Sequence, residues 1–418
     1  MLIKTILNKI HRFKSFIFTT VQLSQEGDLL ILEIRLEPRK NSKGICSKCG
    51  IPGPCYDHLE TRRFEFIPIW GIKVFFIYPP RRIDCITDGV TVEKLPWAEG
   101  KHHLTNTFKV FLASWAKKLS WKETAESFNV CWEHVFRSVK YVVAYGLENR
   151  LLDGISAIGI DEIKYKVGHK YLTLVYQIDE GMRRLIYVGK DRTAKTLLRF
   201  FSEFGEERSS KLKFVCTDMW KAYLKVTARK ASQALNILDR FHIKKHMNDA
   251  VDKARRQESA SLELKGYEPI LKKSRWALLK NPENRTENQS LKIKELLQYN
   301  LKSVKSLLLK LEFEKFWKYR SPFWAEIFLN EWIHKAMRSR IEPMKQVAKM
   351  LRNHKPLIIN WFKVKGVRLS SGPVEGLNNK AKVTIRKSYG FREFDMLKIA
   401  LFHQLGDLPE PELTHRFC

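Results

Sequence analysis

Ala157-Ile158-Gly159-Ile160-Asp161-Glu162 is a short apolar run that stops at two adjacent carboxylates. Preceded by Gly154 and followed by charged residues, it has the pattern of a buried strand that delivers Asp161 at its exposed end. An acid at a strand end is ordinarily a turn or cap residue, so the run gains meaning only from two later stretches. Lys213-Phe214-Val215-Cys216-Thr217-Asp218 has the same form, and Ser371-Gly372-Pro373-Val374-Glu375 puts Glu375 in the first turn of a predicted helix. Three acids on separate elements are a donor set for divalent cations.

The residues between these acids give their order in space. Tyr171 to Ile178 and Arg184 to Val188 are strand-like and meet at the hairpin turn Asp179-Glu180-Gly181-Met182. Thr193 to Phe204 has helical spacing, with Ala194, Leu197, Leu198 and Phe201 on one side. The Asp218 run follows, then a helix through Tyr223, a strand from Ala234 to Leu238, and Asp239-Arg240-Phe241-His242 just past its end. Three antiparallel strands, a helix, a strand, a helix and a fifth strand form a ribonuclease-H-like order. Its first and fourth strands are neighbours, which brings Asp161 toward Asp218.

The chain has 418 residues, 76 Lys plus Arg against 45 Asp plus Glu, and a formal charge of +31. Length predicts two to four domains. The basic residues are spread along the sequence, so the expected partner is a polyanion, nucleic acid first and a membrane surface second. No apolar run reaches the roughly 18 to 20 residues of a bilayer span. Lys9, His11, Arg12 and Lys14 break any signal-peptide core. A soluble intracellular protein is expected, and seven cysteines in so long a chain argue for reduced thiols and a metal site over a disulfide framework.

Residues 1–98 read as a β-rich module. After a basic helix-like start, Phe16 to Leu23 and Leu29 to Leu36 flank the turn Gln25-Glu26-Gly27-Asp28, and Phe64 to Ile77 reads as a second hairpin. Cys46-Ser47-Lys48-Cys49-Gly50 is a Cys-x2-Cys knuckle able to grip one tetrahedral zinc. The remaining ligands come from Cys55, His58, Cys85 or Asp88, with Cys46, Cys49 and Cys85 favoured; Cys85 as a small buried hydrophobe and Asp88 as a turn residue is the alternative. Residues 99–150 turn helical, with Ser120 and Glu123 forming a capping box. A turn at Asn129 and a second helix bearing Trp132, Val135, Phe136, Arg137 and Val139 complete a helix-turn-helix form suited to the major groove. Trp132 and Arg137 are the candidate DNA contacts there.

Residues 251–364 read as an all-α insertion, rich in Lys, Arg, Leu and Trp, between a first part of the core at 151–250 and its C-terminal helices at 365–418. Trp276, Trp317, Trp324, Trp332 and Trp361 read as core, with base stacking as the alternative. Asn378, Asn379, Lys382 and Arg386 share the helical face of Glu375, and with Lys380 they are candidate phosphate contacts. Leu377, Ala381 and Ile385 supply a separate packing face.

From Cys46 to the C-terminus, these motifs together resemble a DDE transposase of the bacterial insertion-sequence family ISL3. They include the cysteine knuckle, Leu95-Pro96-Trp97, Leu119-Ser120-Trp121, Gly159-Ile160-Asp161-Glu162, Thr217-Asp218-Met219-Trp220, Asp239-Arg240-Phe241-His242 and Ser371-Gly372-Pro373-Val374-Glu375-Gly376-Leu377-Asn378-Asn379-Lys380-Ala381-Lys382. The resemblance implies a multidomain α+β and α/β chain: a zinc-ribbon-like module, a helix-turn-helix, and a ribonuclease-H-like core interrupted by helices. It also implies an acidic triad on Asp161, Asp218 and Glu375 holding two magnesium or manganese ions, with His242 orienting nucleophile or phosphate, or else structural. Implied partners are the element's terminal repeats and target DNA, bound by a homodimer or larger assembly in the bacterial cytoplasm at the nucleoid. The family's second knuckle usually ends in Cys where this chain has Asp88, so its zinc site is weakened, takes an oxygen ligand, or recruits Cys55 or His58. A DNA-binding regulator with an inert core and a ribonuclease-H-like repair nuclease are the rival readings.

Overall fold

The computed structural model describes residues 2–166, 168, 170–364, 372–388 and 390–412; Ser371, quoted with the third acid, lies outside them. The chain divides into two compact units, residues 1–151 with 383–418 and residues 152–382.

In the first unit, α1 (Ile3–Ile10) precedes the hairpin of β1 (Phe16–Glu26) and β2 (Leu29–Pro38). Then come β3 (Gly44–Ile45), β4 (Pro52–Gly53), β5 (Cys55–His58), β6 (Arg62–Ile69), β7 (Ile72–Tyr78), β8 (Arg81–Cys85) and β9 (Gly89–Val92). The larger sheet runs β1-β2-β7-β6. Because side chains alternate across a strand, Phe16, Phe18, Ile34, Leu36, Phe64, Phe66, Phe76 and Tyr78 share one buried cluster with Trp97. Cys46 and Cys49 lie in the loop joining β3 to β4, Cys55 on β5 and Cys85 at the end of β8. Arg81 pairs with buried Glu93 at 2.7 Å, and the Tyr78 hydroxyl donates to Glu93 at 2.6 Å, so this buried charge is fully matched.

Helices α2 (Asn106–Lys118), α3 (Trp121–Ser127) and α4 (Trp132–Asn149) follow. Both capping-box bonds form between Ser120 and Glu123. Asn129 takes φ 48°, a left-handed conformation Asn tolerates, and so turns α3 into α4. One face of α4 buries Val135, Val139, Val142 and Val143.

The second unit opens with β10 (Ala157–Lys166), β11 (Lys170–Asp179) and β12 (Met182–Lys190). Then come α5 (Ala194–Phe204), α6 (Glu206–Ser210), β13 (Phe214–Thr217), α7 (Lys221–Lys230), β14 (Leu235–Leu238) and α8 (Arg240–Leu264). The sheet order is β12-β11-β10-β13-β14, antiparallel among the first three and parallel from β10 through β13 to β14. Both faces of its centre are covered, which is why β11 is buried almost continuously from Leu172 to Ile178. Leu197, Phe200, Phe201 and Phe204 of α5 and Tyr223 of α7 pack with Ile158, Ile160 and Val215. Fully burying each such large apolar side chain contributes about 1.5–3 kcal/mol.

Helix α8 crosses residue 250. It starts at Arg240, N-capped by Asp239, and runs unbroken to Leu264. Helices α9 to α14 follow between Arg275 and Ile359. Trp332 is core, donating from Nε1 to the Leu309 carbonyl at 2.9 Å, whereas Trp276 and Trp324 are more than half exposed. Helix α15 (Gly372–Lys387) spans the point where the two units divide, and α16 (Phe394–Leu405) packs on α4 in the first unit.

Candidate active site

Asp161 sits within β10, paired with Leu174 of β11, and not at the strand's end as the apolar run alone predicts. The strand continues because β11 supplies an antiparallel partner as far as Lys166, whereas the parallel partner β13 pairs only with Ala157 to Gly159. Asp161 therefore lies just beyond the end of β13, where Asp218 follows Thr217, and Asp239 follows the last residue of β14. The carboxyl ends of parallel strands open a crevice in such sheets.

Around Asp161 the hydrogen bonds are specific. The Glu162 amide donates to Oδ1 at 2.7 Å, and Asn378 Nδ2 donates to Oδ2. Asn378 in turn accepts from the buried Tyr176 hydroxyl at 2.8 Å. Helix α15 approaches this closely because Val374 occupies the space a Cβ on Gly159 would take. Asn378 is thus buried and turned inward, away from the exposed polar stripe to which its spacing assigns it.

Arg192, just after β12, joins the other acids. Its Nη2 donates to Asp218 Oδ2 at 3.2 Å and its guanidinium lies over the Trp220 ring. Its Nε is 2.5 Å from Glu162 Oε2, yet neither atom has hydrogen-bond alignment, so the contact is charge attraction. Asp218 also accepts from the Trp220 amide at 3.0 Å. Asp239 caps α8 through the Phe241 amide and meets His242 Nδ1 at 3.0 Å.

The electrostatics are those of crowded acids. Burial, reinforced by Asp239 and Asp218 and opposed by His242, pushes Asp161 up to about 6. Burial and the charges of Asp218 and Asp161 push Glu162 up to about 7 against the pull of Arg192. The Asp239 contact raises the His242 imidazole above its ordinary value. Such shifts mark a place that lacks positive charge.

Glu375 is exposed in the first turn of α15, one helical turn before Asn378. Among the described residues, the group whose ligand atoms all lie within 4.8 Å is the cysteine cluster, so Asp161, Asp218 and Glu375 are not drawn together to that degree.

The family model described as transposase, for the ISL3 group of DDE transposases, matches residues 158–401, more than half the chain. The chain belongs to this family. It is 27% identical to the transposase for insertion sequence element IS1001 of Bordetella parapertussis over 88% of this chain and 90% of that protein. It is 29% identical to the transposase for insertion sequence element IS1557 of Mycobacterium tuberculosis, over 92% and 90%. No helix among the described residues is long and apolar enough to cross a membrane.

A second polar centre in this transposase chain lies in the first unit. Cys46, Cys49, Cys85 and Asp88 converge, with Cys46 Sγ 3.3 Å from Asp88 Oδ2 and Cys49 Sγ 3.4 Å from Cys85 Sγ. A tetrahedral zinc with Zn–S near 2.3 Å sets its ligands about 3.8 Å apart, so the donor set and spacing fit. The Thr91 hydroxyl and backbone amides draw the Cys46 thiol down to about 7. Cys55 and His58 lie outside this group.

The remaining candidates are at the surface. Trp132 is half exposed at the start of α4, and Arg137 is exposed and paired with Glu133 at 2.7 Å. Asn379, Lys380, Lys382 and Arg386 are exposed along α15. Sequence patterns gave no warning of Tyr176, which sits in an apolar run, or of Arg192, which follows a strand as any basic turn residue does.

Proposed function

We propose that this chain is an active DDE transposase that cuts DNA at the ends of its element and joins the freed 3′-hydroxyl to target DNA. The reading rests on the carboxyl end of β13, where Asp218 follows the strand beside Asp161 of the neighbouring β10. Asp161, Asp218 and Glu375 would hold two magnesium or manganese ions. The donor set is all hard oxygen, and Arg192 already contributes positive charge between Glu162 and Asp218. Glu375 belongs to the same helical turn that carries Asn378 to Asp161. When bound, the ions activate water or hydroxyl as nucleophile and stabilise charge on the phosphoryl and leaving oxygens.

The protein's own groups fix the geometry. Asn378 and the Glu162 amide hold the two Asp161 oxygens, and Tyr176 locks the Asn378 amide. Asp239 holds Nδ1 of His242 and favours the protonated ring, which leaves Nε2 as a donor available to a scissile phosphate. Trp132, Arg137, Asn379, Lys380, Lys382 and Arg386 supply DNA contacts, the charged ones mainly to phosphates. Asn378 serves as a positioning residue and not as a DNA contact. Zinc in the cluster of Cys46, Cys49, Cys85 and Asp88 would hold the N-terminal module, and two copies of the chain would pair two element ends.

Incubating the protein with a plasmid carrying the element's own ends tests this. Magnesium-dependent breaks at those ends, followed by joining to a second duplex, are expected. Retarded mobility in a gel without any magnesium-dependent cutting would instead support the DNA-binding regulator.

Asn378→Leu separates positioning from chemistry. It leaves an Asp161 oxygen and the Tyr176 hydroxyl unpartnered, costing about 1–3 kcal/mol in a denaturation midpoint. Loss of alignment at Asp161 should slow cutting about 100-fold, whereas a wild-type rate with wild-type stability would remove Asn378 from the mechanism.

A further inference from the structure

We propose that the cavity walled by α2, α4 and the segment Glu99 to Leu104 is a phosphate-binding site built around the Lys109 ammonium. The cavity has a volume of about 410 Å³ and lies wholly within the first unit. None of its lining residues belongs to the cysteine cluster or to the acids around Asp161.

Lys109 carries the argument. It is only 5% exposed, although it lies on α2 among apolar residues where Leu or Met would pack without electrostatic cost. Its ammonium donates to Asn106 Oδ1 at 3.1 Å and lies 4.8 Å from the centre of the Tyr141 ring. An ammonium has three donors, and among the described residues no carboxylate pairs with this one. Glu99 is the acid whose field reaches it, and a Glu99 oxygen is 3.5 Å from the Tyr141 hydroxyl. A buried cation without a paired anion is strongly unfavourable, and burial accordingly pulls the Lys109 pKa down.

The rest of the wall suits an anion. His134, Arg137, Ser138 and Tyr141 recur at successive turns of α4 and line the cavity with His102 of the loop. Burial holds both His134 and His102 below their ordinary values, so they offer neutral N–H donors until an anion enters. Arg137 uses Nη2 on Glu133 and keeps further donors for a tetrahedral oxyanion. The Ser138 hydroxyl already donates to the His134 carbonyl, so Lys109, Arg137, His102 and His134 supply the N–H donors lining this one cavity, a set that matches a phosphate group with oxygens on every side. The phosphate comes from the backbone of bound duplex or from a small phosphorylated compound. The first source rests on the DNA-handling reading above, and the second does not.

Lys109→Met fills the same space without charge, and two measurements on the full chain without divalent metal decide the matter. Inorganic phosphate should raise the melting midpoint of the unaltered protein above that in chloride at equal ionic strength. In K109M that response should disappear, with a phosphate-free midpoint no lower than the parent's. The second measurement is the salt dependence of binding to a mixed-sequence duplex. A slope of log K against log salt that falls by about 0.9 in K109M assigns a backbone phosphate; an unchanged slope with the phosphate response lost assigns a small phosphorylated compound. A K109M protein that keeps both the phosphate response and the full slope overturns the site. Should K109M fail to fold, Arg137→Gln at the rim decides, since it must weaken the phosphate response several-fold, and a parent-like response would overturn the proposal.

Discussion

Asp161→Asn is expected to lower the rate of end cleavage at least about a thousandfold while leaving duplex affinity within about twofold of the parent. The substitution keeps the shape and the local bonds. An Asn at this position still accepts from the Glu162 amide, and a reversed Asn378 amide accepts from its NH₂ group and donates to the Tyr176 oxygen. What it loses is the negative charge needed to hold a divalent ion. Affinity for DNA is set elsewhere, by a chain with 76 basic against 45 acidic residues, so binding has no reason to fall.

The same variant carries a stability signature. The folded Asp161 pKa, about 6, lies above the ordinary 3.8, so protonation of this group stabilises the fold. That contribution is complete below pH 3.8 and is lost as pH rises through about 6. Without metal, the parent therefore melts below Asp161→Asn at pH 8, and the two converge near pH 4. Magnesium should raise the parent's midpoint at pH 8 and the variant's much less. Equal midpoints at every pH, or cleavage near the parental rate, would remove Asp161 from the account.

Cys46→Ser is the second large effect. The wild-type chain should carry about one zinc, released on treatment with a strong chelator, and the variant should carry none. Structural zinc contributes on the order of 10 kcal/mol to small modules that depend on it, so β3, β4, β5, β8 and β9 should lose protection from hydrogen exchange. The sheet β1-β2-β7-β6 has its own aromatic core around Trp97 and should survive, which makes the loss local. Asp88→Cys, by replacing a carboxylate with a thiolate, should slow zinc removal by the chelator. Unchanged metal content in Cys46→Ser would show that the cluster is only a buried packing unit.

Much of this was legible in the residues. The turn at Asp179 to Met182 contains Gly181 at φ 82°, and the Ser120 capping box closes with both its bonds, because both depend on neighbours a few positions away. The spacing of Cys46, Cys49 and Cys85 favoured one cluster, while the fourth position stayed open among Asp88, Cys55 and His58 until the fold brought Asp88 in. Asp161 within its strand was not legible, since the strand's length is set by β11 outlasting β13 as a partner. Nor was Asn378, which lies between the buried Leu377 face and the exposed Lys382 stripe on a helical wheel. Its inward turn is decided by Tyr176, 202 positions away. The start of α8 at Arg240 was hidden for a simpler reason: Asp239 is both a strand-end acid and a helix cap.

The central claim concerns cations held by three acids distant in sequence, and anomalous diffraction from crystals grown with manganese and element-end DNA measures it most directly. Two manganese peaks about 3.5–4 Å apart, touching Asp161 and Asp218 with Glu375 completing the shell, are the predicted result. Manganese absent from these carboxylates, or Glu375 remaining more than about 10 Å from both peaks, would contradict it.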